Sequence, residues 1–108
     1  MPIAAGVLDY FPLALMEVAR VSKIGNDQHN PGQPLHWARG KSTDHADCIL
    51  RHLVDRGTLD TDGGLHSAKV AWRSLALLQE ECEATLISLG FTREQASGRG
   101  SVWPKDIK

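Results

Sequence analysis

Apolar residues recur at helical spacing on both sides of a polar turn that spans residues 56–65. Before the turn, the apolar positions are Ala46, Ile49, Leu50, Leu53 and Val54. After the turn, they are Ala68, Ala71, Trp72, Leu75, Leu78, Cys82 and Leu86. Because a spacing of three and four residues places side chains on one face of a helix, the pattern predicts two amphipathic helices joined by the turn.

Polar side chains flank both apolar ridges. The first helix carries one stripe of Asp44, Asp47 and Arg51 and a second stripe of His45, Cys48 and His52. The second helix carries His66, Lys69, Arg73 and Glu80 on the side opposite its ridge. The helices could therefore present carboxylates from one and cations from the other to a common cleft, which suggests a site for a metal-bound phosphate ester.

The segment from Leu13 to Ile24 is apolar almost throughout, and Pro12 stands where the first turn of a helix tolerates proline. We expect Gly25 and Asn26 to end this helix. So few polar residues are typical either of a central core helix or of an oligomer interface, and the sequence leaves both open.

A cluster of helix breakers at residues 30–34 marks a long loop over residues 27–41. The loop ends in several large side chains, among them His36 and Trp37, which are unusual in a flexible linker. Because long loops in compact domains are often functional, we expect this one to fold back over the cleft. The alternative is that Trp37 fills the core.

Local signals place the last elements. Gly90 is expected to end the second of the two central helices, and Thr92 and Gln95 have the spacing of a capping box that opens a short final helix. Residues 97–108 have the pattern of an irregular arm. Since no strand pattern appears, we predict an all-α bundle of about four helices in one domain of residues 1–108, with its core completed by oligomerisation.

Composition narrows the function classes. The chain has 108 residues and a net charge of −1, which argues against a broad nucleic-acid or membrane surface. Its two cysteines lie on helical patterns rather than in a cysteine-rich framework, and no signal peptide or membrane-spanning run is present. We therefore expect free thiols in a cytoplasmic protein.

Three carboxylates are the predicted ligands of a divalent cation. Asp47 lies on the first helix and Asp60 and Asp62 follow in the turn, and Mg²⁺ or Mn²⁺ is bound by several such oxygen ligands. The alternative is that the helical acids form a solvated, self-paired face. Asp44 has a further alternative, because one of residues 42–44 can cap the helix.

Two other metals fit less well. The acidic turn has the start of a calcium loop, but the glutamate that such a loop requires further on is missing. Zinc accepts the ligand types of His45, Cys48 and His52, but their spacing is not a known signature. A buried thiol beside exposed histidines is the more common explanation of that stripe.

Cationic side chains on the second helix are the predicted phosphate ligands. His66, Lys69 and Arg73 offer donors that suit phosphate oxygens, and an arginine can bind two of these oxygens at once. The alternative is an exposed basic face that pairs with Glu80. The sequence has no glycine-rich phosphate loop and no Ser-His-Asp order of a hydrolase triad.

Several short motifs occur in an order that resembles a known family. They are residues 13–21 and a following glycine, a loop ending in Trp37, Leu50-Arg51-His52-Leu53, Gly57, Asp60, Asp62, Gly64-Leu65-His66, and Ala71-Trp72 before residues 75–78. This order, over about residues 10–83, resembles the phage dATP/dGTP diphosphohydrolases, which are all-α, MazG-like nucleoside triphosphate pyrophosphohydrolases. Arg51-His52 and the acidic turn with its following His66 are the most specific parts.

The resemblance implies hydrolysis of dGTP or dATP between the α and β phosphates, with Mg²⁺ or Mn²⁺ as cofactor. The products would be the monophosphate and pyrophosphate, and in a phage the dGMP would feed 2-aminoadenine nucleotide synthesis. The resemblance supports Asp47, Arg51, His52, Asp60, Asp62 and His66 as site positions.

Together, the patterns and the resemblance give each residue a predicted role. The catalytic residues are Asp47, His52 and His66; the metal ligands are Asp47, Asp60 and Asp62; Arg51, Lys69 and Arg73 bind phosphates; and His29, His36 and Trp37 contact the base. The expected substrate is a purine deoxynucleoside triphosphate. We also expect a homodimer or homotetramer that binds neither nucleic acid nor membrane.

The chain departs from the family pattern at several positions. The loop after Gly25 reads Asn-Asp-Gln-His-Asn, and the other departures are His36 for asparagine, Thr58 for glutamate, Lys69 for histidine and Arg73 for asparagine. These departures bear on the base contacts and on the ligand set.

A rival hypothesis is a non-catalytic helical interaction protein. The apolar helix of residues 13–24 would be a partner surface, and the polar stripes would be solvated. Stabilisation by dGTP that requires a divalent cation would favour the enzyme instead.

Overall fold

The computed structural model describes residues 1–39 and 43–96. Its helices are α1 (Pro12–His29), α2 (His45–Val54), α3 (His66–Ser88) and α4 (Arg93–Ala96), preceded by a π-helical turn at Ala4–Leu8 that the sequence did not predict. All the regular elements assigned in these ranges are helices, so the all-α prediction is confirmed. Ser42 and the predicted arm at residues 97–108 lie outside the described residues.

The chain divides into two compact units, one of residues 2–74 and one that begins at Leu75. That the whole chain forms one domain therefore stays a prediction. Both cysteines are free, with Cys48 buried and Cys82 exposed. Within the described ranges, none of the helices combines the length and the apolar character needed to cross a membrane.

α1 is longer than the sequence indicated. It begins at Pro12, as predicted, but continues past Gly25 to His29, so the predicted end was wrong. A single glycine inside a helix costs only about 1 kcal/mol relative to alanine, which is too little to stop it. The helix stops before Pro31, since proline disfavours helical backbone in the residue that precedes it.

Little of α1 is buried within the chain. Leu13 is 78% exposed and Met16 is 70% exposed, whereas Asn26 is the buried residue of this helix. α1 is thus not a fully buried core helix, and the oligomer interface stays a prediction.

α2 turns its polar side inward. His45 and Cys48 are buried, whereas Leu50 is 62% exposed and Val54 is 77% exposed. The apolar ridge of α2 therefore faces away from the interior of its unit, and the polar stripe lines that interior. Asp44 occupies the N-cap position, but its side chain makes no capping hydrogen bond.

In the unit that begins at Leu75, the predicted end of α3 and the predicted start of α4 are both confirmed. Gly90 follows α3 with a φ of +98°, the left-handed conformation that ends many helices. The Thr92 N–H donates to Gln95 Oε1 at 2.9 Å, and the Gln95 N–H donates to Thr92 Oγ1 at 3.1 Å, which completes the capping box. A small apolar cluster consists of Leu86, Phe91 and Ala96.

Candidate functional site

A tight turn between α2 and α3 holds Asp60 and Asp62. The Asp60 N–H donates to the Gly64 carbonyl at 2.8 Å, and the Gly63 N–H donates to the Asp60 carbonyl at 3.0 Å. From α1, Arg20 Nη1 donates to the Gly63 carbonyl at 2.9 Å. The turn is therefore fixed both internally and to α1.

At Gly64 the turn packs closely against its neighbours. A Cβ atom there would lie 3.2 Å from Asp62 Oδ1, 3.3 Å from Lys69 Cε and 3.3 Å from Val21 Cγ2. These distances are tighter than ordinary van der Waals contacts, so each neighbour would have to move. The glycine thus allows α1, the turn and α3 to meet.

Lys69 of α3 links the two carboxylates of the turn. Its Nζ lies 2.6 Å from Asp60 Oδ2 and 2.6 Å from Asp62 Oδ2. The other oxygens accept backbone hydrogen bonds, Asp60 Oδ1 from Thr61 at 2.7 Å and Asp62 Oδ1 from Gly64 at 2.9 Å. We call Asp60, Asp62 and Lys69 the charged triad.

These contacts change the ionisation of all three groups. The Lys69 ammonium and the Thr61 N–H lower the pKa of Asp60 to about 2. The same ammonium and the Gly64 N–H lower the pKa of Asp62. Burial acts to lower the pKa of Lys69, but the two carboxylates outweigh burial, and this pKa is raised. The triad is therefore fully charged at neutral pH.

We expect the charged triad to stabilise the fold at neutral pH and to lose this effect in acid. The folded pKa of Asp60, about 2, lies below its ordinary value of 3.8, so its stabilisation is complete above the ordinary value and is lost as pH falls through the folded value. With a chelator present, Lys69→Met should melt below the unsubstituted chain at about pH 6, and the gap should narrow towards about pH 2.

The control for this measurement is Lys23→Met, which removes an exposed ion pair with Asp27 on α1. Exposed pairs contribute little, so its melting temperature should stay close to that of the unsubstituted chain throughout. A gap for Lys69→Met that is the same at both pH values would contradict the prediction.

His52 of α2 and His66 of α3 meet beside the triad. Their Nδ1 atoms lie 2.8 Å apart, so one ring donates and the other accepts with a neutral nitrogen. Burial, followed by the charges of His66 and Lys69, lowers the pKa of His52. A nitrogen of each ring and an oxygen of Asp60 lie within 4.8 Å of one another, which makes these residues a cluster of metal-type ligands.

Arg73 of α3 is held by residues at the start of α2. Its Nη1 lies 3.2 Å from His45 Nδ1 and 3.8 Å from Asp44 Oδ1. Cys48 Sγ donates to Asp44 Oδ2 at 3.4 Å, which is the main reason that the pKa of Asp44 is lowered, and Cys48 accepts from Arg51 Nη2 at 3.1 Å. Asp44 is therefore a partner of Arg73, and His45 and Cys48 each contact protein side chains.

A cavity of about 620 Å³ lies beside these groups, in the unit of residues 2–74. Its lining combines flat rings with charged side chains. The rings belong to His29, His36, Trp37, His45, His52 and Trp72, and the charged groups are Asp62, Lys69 and Arg73. The volume is that of a typical small-molecule site.

The loop after α1 folds back over this cavity, as predicted. The Asn26 side chain holds it, donating to the Gln33 carbonyl at 3.0 Å and accepting from the His36 N–H at 3.1 Å. Trp37 meets Trp72 edge to face, with ring centroids 5.9 Å apart. Trp37 thus forms part of the cavity wall and does not merely fill a core.

Most predicted site residues come together. Those that line the cavity or contact its lining are His29, His36, Trp37, His52, Asp60, Asp62, His66, Lys69 and Arg73. Asp47 and Arg51 are not part of the lining. Asp47 is exposed, two residues from the buried His45, and two residues turn a helical side chain by about 200°. The predicted ligand set of Asp47, Asp60 and Asp62 is therefore not assembled in the described chain.

Sequence reasoning missed Asn26, His45 and Trp72 as parts of the cavity. The spacing places Trp72 on an apolar ridge, although its position directly before Arg73 is a usable signal. The sequence predicts Asn26 at a helix end. No local signal marks it, because its hydrogen-bond partners lie seven and ten residues further along the chain.

Comparison with known proteins shows which family the sequence matches. The family model described as dATP/dGTP diphosphohydrolase, N-terminal, matches residues 3–88. No curated protein matches the chain significantly, and no solved structure does either. The matched region includes the charged triad, the histidine pair and the loop over the cavity.

Proposed function

Because the chain belongs to the dATP/dGTP diphosphohydrolase family, we propose that it hydrolyses a purine deoxynucleoside triphosphate, with dGTP preferred, to the monophosphate and pyrophosphate. The observation that carries this proposal is the cavity lining, where aromatic and imidazole rings occur together with Lys69 and Arg73. A nucleotide requires both kinds of contact, flat faces for its base and cations for its phosphates.

Arg73 and Lys69 would bind the triphosphate. Arg73 is positioned by His45 and Asp44, and its guanidinium fork matches two phosphate oxygens. An ammonium has three donors, and Lys69 gives two of them to carboxylates, which leaves one for a phosphate oxygen. Holding the phosphates in a fixed orientation would itself accelerate hydrolysis.

A divalent cation, Mg²⁺ or Mn²⁺, belongs to this proposal. His52, Asp60 and His66 have converging ligand atoms and would hold it, which is the catalytic role we assign to the two histidines. When bound, the cation neutralises phosphate charge and activates water. Asp62 would act indirectly, by keeping Lys69 in place.

We expect cleavage between the α and β phosphates. The sequence has no glycine-rich loop with a Walker lysine, the device that singles out the γ phosphate in P-loop enzymes. Incubation with dGTP and Mn²⁺, followed by anion-exchange chromatography, should yield dGMP and pyrophosphate. Products of dGDP and orthophosphate would refute this cleavage site.

The base preference tests the rings of the cavity. A purine offers a larger flat face than a pyrimidine to Trp37, His36 and His29, so dGTP and dATP should react faster than dCTP and dTTP. Since stacking on an aromatic ring contributes about 1–3 kcal/mol, Trp37→Ala should raise KM for dGTP about 10-fold. Tyr10→Ala, at an exposed ring outside the cavity lining, is the control. Equal rates on all four nucleotides would count against the preference.

We propose that the chain works as a homodimer or homotetramer. The buried apolar positions of the described residues are mostly small: Cys48, Ala68, Ala76, Leu86 and Ala96. Leu13 and Met16 of α1 are exposed, and burying such side chains would contribute about 25 cal/mol per Å². Light scattering at micromolar concentration should give a mass of at least two 11.8 kDa chains.

The double substitution Leu13→Glu and Met16→Glu should shift that mass towards the monomer. Lys23→Glu, on the same helix at a position that is already polar, is the matched control. A monomer mass for the unsubstituted chain would contradict the proposal.

The family also supports a biological role. In an infected host cytoplasm, dGMP from this reaction would supply 2-aminoadenine nucleotide synthesis. If the chain is phage-encoded, deleting its gene should lower the 2-aminoadenine content of the phage DNA, and an unchanged content would exclude this role.

A further inference from the structure

Lys69 occupies the point where a cation bridging Asp60 and Asp62 would have to lie. Its Nζ is 2.6 Å from one Oδ2 atom of each carboxylate. A metal ion bound to the same two oxygens would need the space that the ammonium fills. The protein thus supplies this position with a cation of its own.

The ammonium is firmly held. The side chains of Lys69 and Asp62 are each 15% exposed and that of Asp60 is 25% exposed, so water screens these ion pairs less than it screens surface pairs. Each carboxylate is also fixed through its second oxygen by a backbone N–H. Without Lys69, two like charges would face each other in a partly buried place, at a cost in stability.

Asp60 also faces a second set of ligands. One of its oxygens lies within 4.8 Å of ring nitrogens of His52 and His66. An ionised carboxylate has about four lone-pair positions, so Asp60 can accept from Lys69 and Thr61 and still bind a metal ion. The Nδ1 atoms of the two histidines lie 2.8 Å apart and share one hydrogen bond, so their lone pairs converge on one region, where a metal ion could replace the shared proton.

The chemistry of these ligands selects a class of metal. Mg²⁺ prefers octahedral coordination by oxygen atoms and retains several waters. Imidazole nitrogens suit first-row transition metals, and affinity for such sites generally rises from Mn²⁺ to Co²⁺ and higher in the series. Two histidines and one carboxylate therefore favour a transition metal over Mg²⁺.

We propose that Lys69 is a fixed internal cation that replaces one metal ion, and that His52, Asp60 and His66 bind a single ion of the Mn²⁺, Co²⁺ and Zn²⁺ class. This inference deepens the proposed function, on which its catalytic meaning rests, but the metal site itself requires no nucleotide. The phosphates would contact two cations. The Lys69 ammonium cannot dissociate from the protein, whereas the metal ion can exchange.

Metal titration without nucleotide tests the cluster. The metal-free full-length chain is titrated with Co²⁺, followed by visible absorption and by calorimetry. We expect one Co²⁺ per chain, Mg²⁺ bound at least about 10-fold more weakly, and about 10-fold or greater weakening of Co²⁺ binding in His52→Ala and in His66→Ala. His29→Ala, an exposed histidine outside the cluster, is the matched control. Two tightly bound ions per chain, or unchanged Co²⁺ binding in both cluster variants, would overturn the proposal.

Lys69→Met tests the fixed cation, because it keeps the length of the side chain and removes its charge. Asp60 and Asp62 should then accept a metal ion between them, so the number of ions per chain should rise from one to two and Mg²⁺ binding should strengthen. Lys23→Met, at an exposed lysine on α1, should change neither quantity. A folded Lys69→Met chain with unchanged stoichiometry and Mg²⁺ affinity would refute the role of Lys69.

Asp62→Asn provides a second variant in case Lys69→Met does not fold. Asp62 contacts Lys69 but lies outside the cluster, so this variant should retain its single Co²⁺, and loss of the ion would overturn the proposal. These titrations also separate the inference from the proposed function. A chain that hydrolyses dGTP without a Co²⁺ site at the histidines would remove only the inference, whereas a one-ion chain without hydrolysis would remove only the function.

Discussion

Asp60→Asn is expected to lower kcat for dGTP hydrolysis by about 100-fold or more, with the helical content unchanged. Asp60 pairs with Lys69 at 2.6 Å and shares the ligand cluster with His52 and His66. Asparagine keeps the size of the side chain and removes the charge on which both contacts depend. Initial rates of pyrophosphate release, measured with saturating dGTP and Mn²⁺, check the effect, and circular dichroism checks the fold.

The control for Asp60→Asn is Asp27→Asn, which neutralises an exposed acid of α1 that pairs with Lys23. Its kcat should stay within about 2-fold of the unsubstituted chain, because exposed ion pairs contribute little. Asp62→Asn should resemble Asp60→Asn in rate, since it releases Lys69 from one of its two partners. Near-normal rates in both turn variants would exclude the turn from the active site.

The second large effect is expected at Arg73. Removing a charged donor from the phosphates costs about 3 kcal/mol at a preorganised site, so Arg73→Met should lower kcat/KM by about 100-fold. Arg73→Lys should recover part of this loss, because it restores the charge and not the fork. The matched control is Arg56→Met, since Arg56 is exposed and its side chain donates to the Leu53 carbonyl, outside the cavity lining.

A kcat/KM for Arg73→Met equal to that of the Arg56→Met control would show that Arg73 does not bind the phosphates. Full recovery in Arg73→Lys would instead reduce its role to simple charge.

Helices and their ends were predictable where the cause is local. The spacing of apolar residues gave α2 and α3, the capping box of Thr92 and Gln95 opened α4, and Gly90 followed α3. Each of these signals acts within a few residues. The predicted end of α1 at Gly25 is wrong because a single glycine does not stop a helix, whereas Pro31, six residues further on, does.

The sequence did not predict whether the apolar ridge of α2 faces the interior or the solvent. The sequence indicated that α2 has an apolar and a polar side, but which side lies inside depends on partners that are distant in sequence. His66 and Arg73 draw the side with His45 and His52 inward through hydrogen bonds across the two helices. Asp47 consequently points away from the cavity, although its spacing from the other acids suggested a common site.

The sequence predicted which residues belong to the site better than it predicted which of them contact each other. The acidic turn and the following His66 were identified from their order, and the structure brings them together. Lys69 was assigned to phosphate, whereas its shortest contacts are to Asp60 and Asp62. Such a pairing across nine and seven residues depends on how the turn closes onto α3, which composition and spacing do not specify.

Gly64 shows how a residue without a side chain can determine the geometry of a candidate site, since its backbone forms hydrogen bonds with both acidic residues of the turn. A methyl group there would push on Asp62 Oδ1, Lys69 Cε and Val21 Cγ2 at once, so the displacement would pass directly to the charged triad. A genetic screen for inactive variants would therefore recover Gly64 beside the charged residues. An inventory of functional groups, which counts only side chains that bind or react, would leave it out.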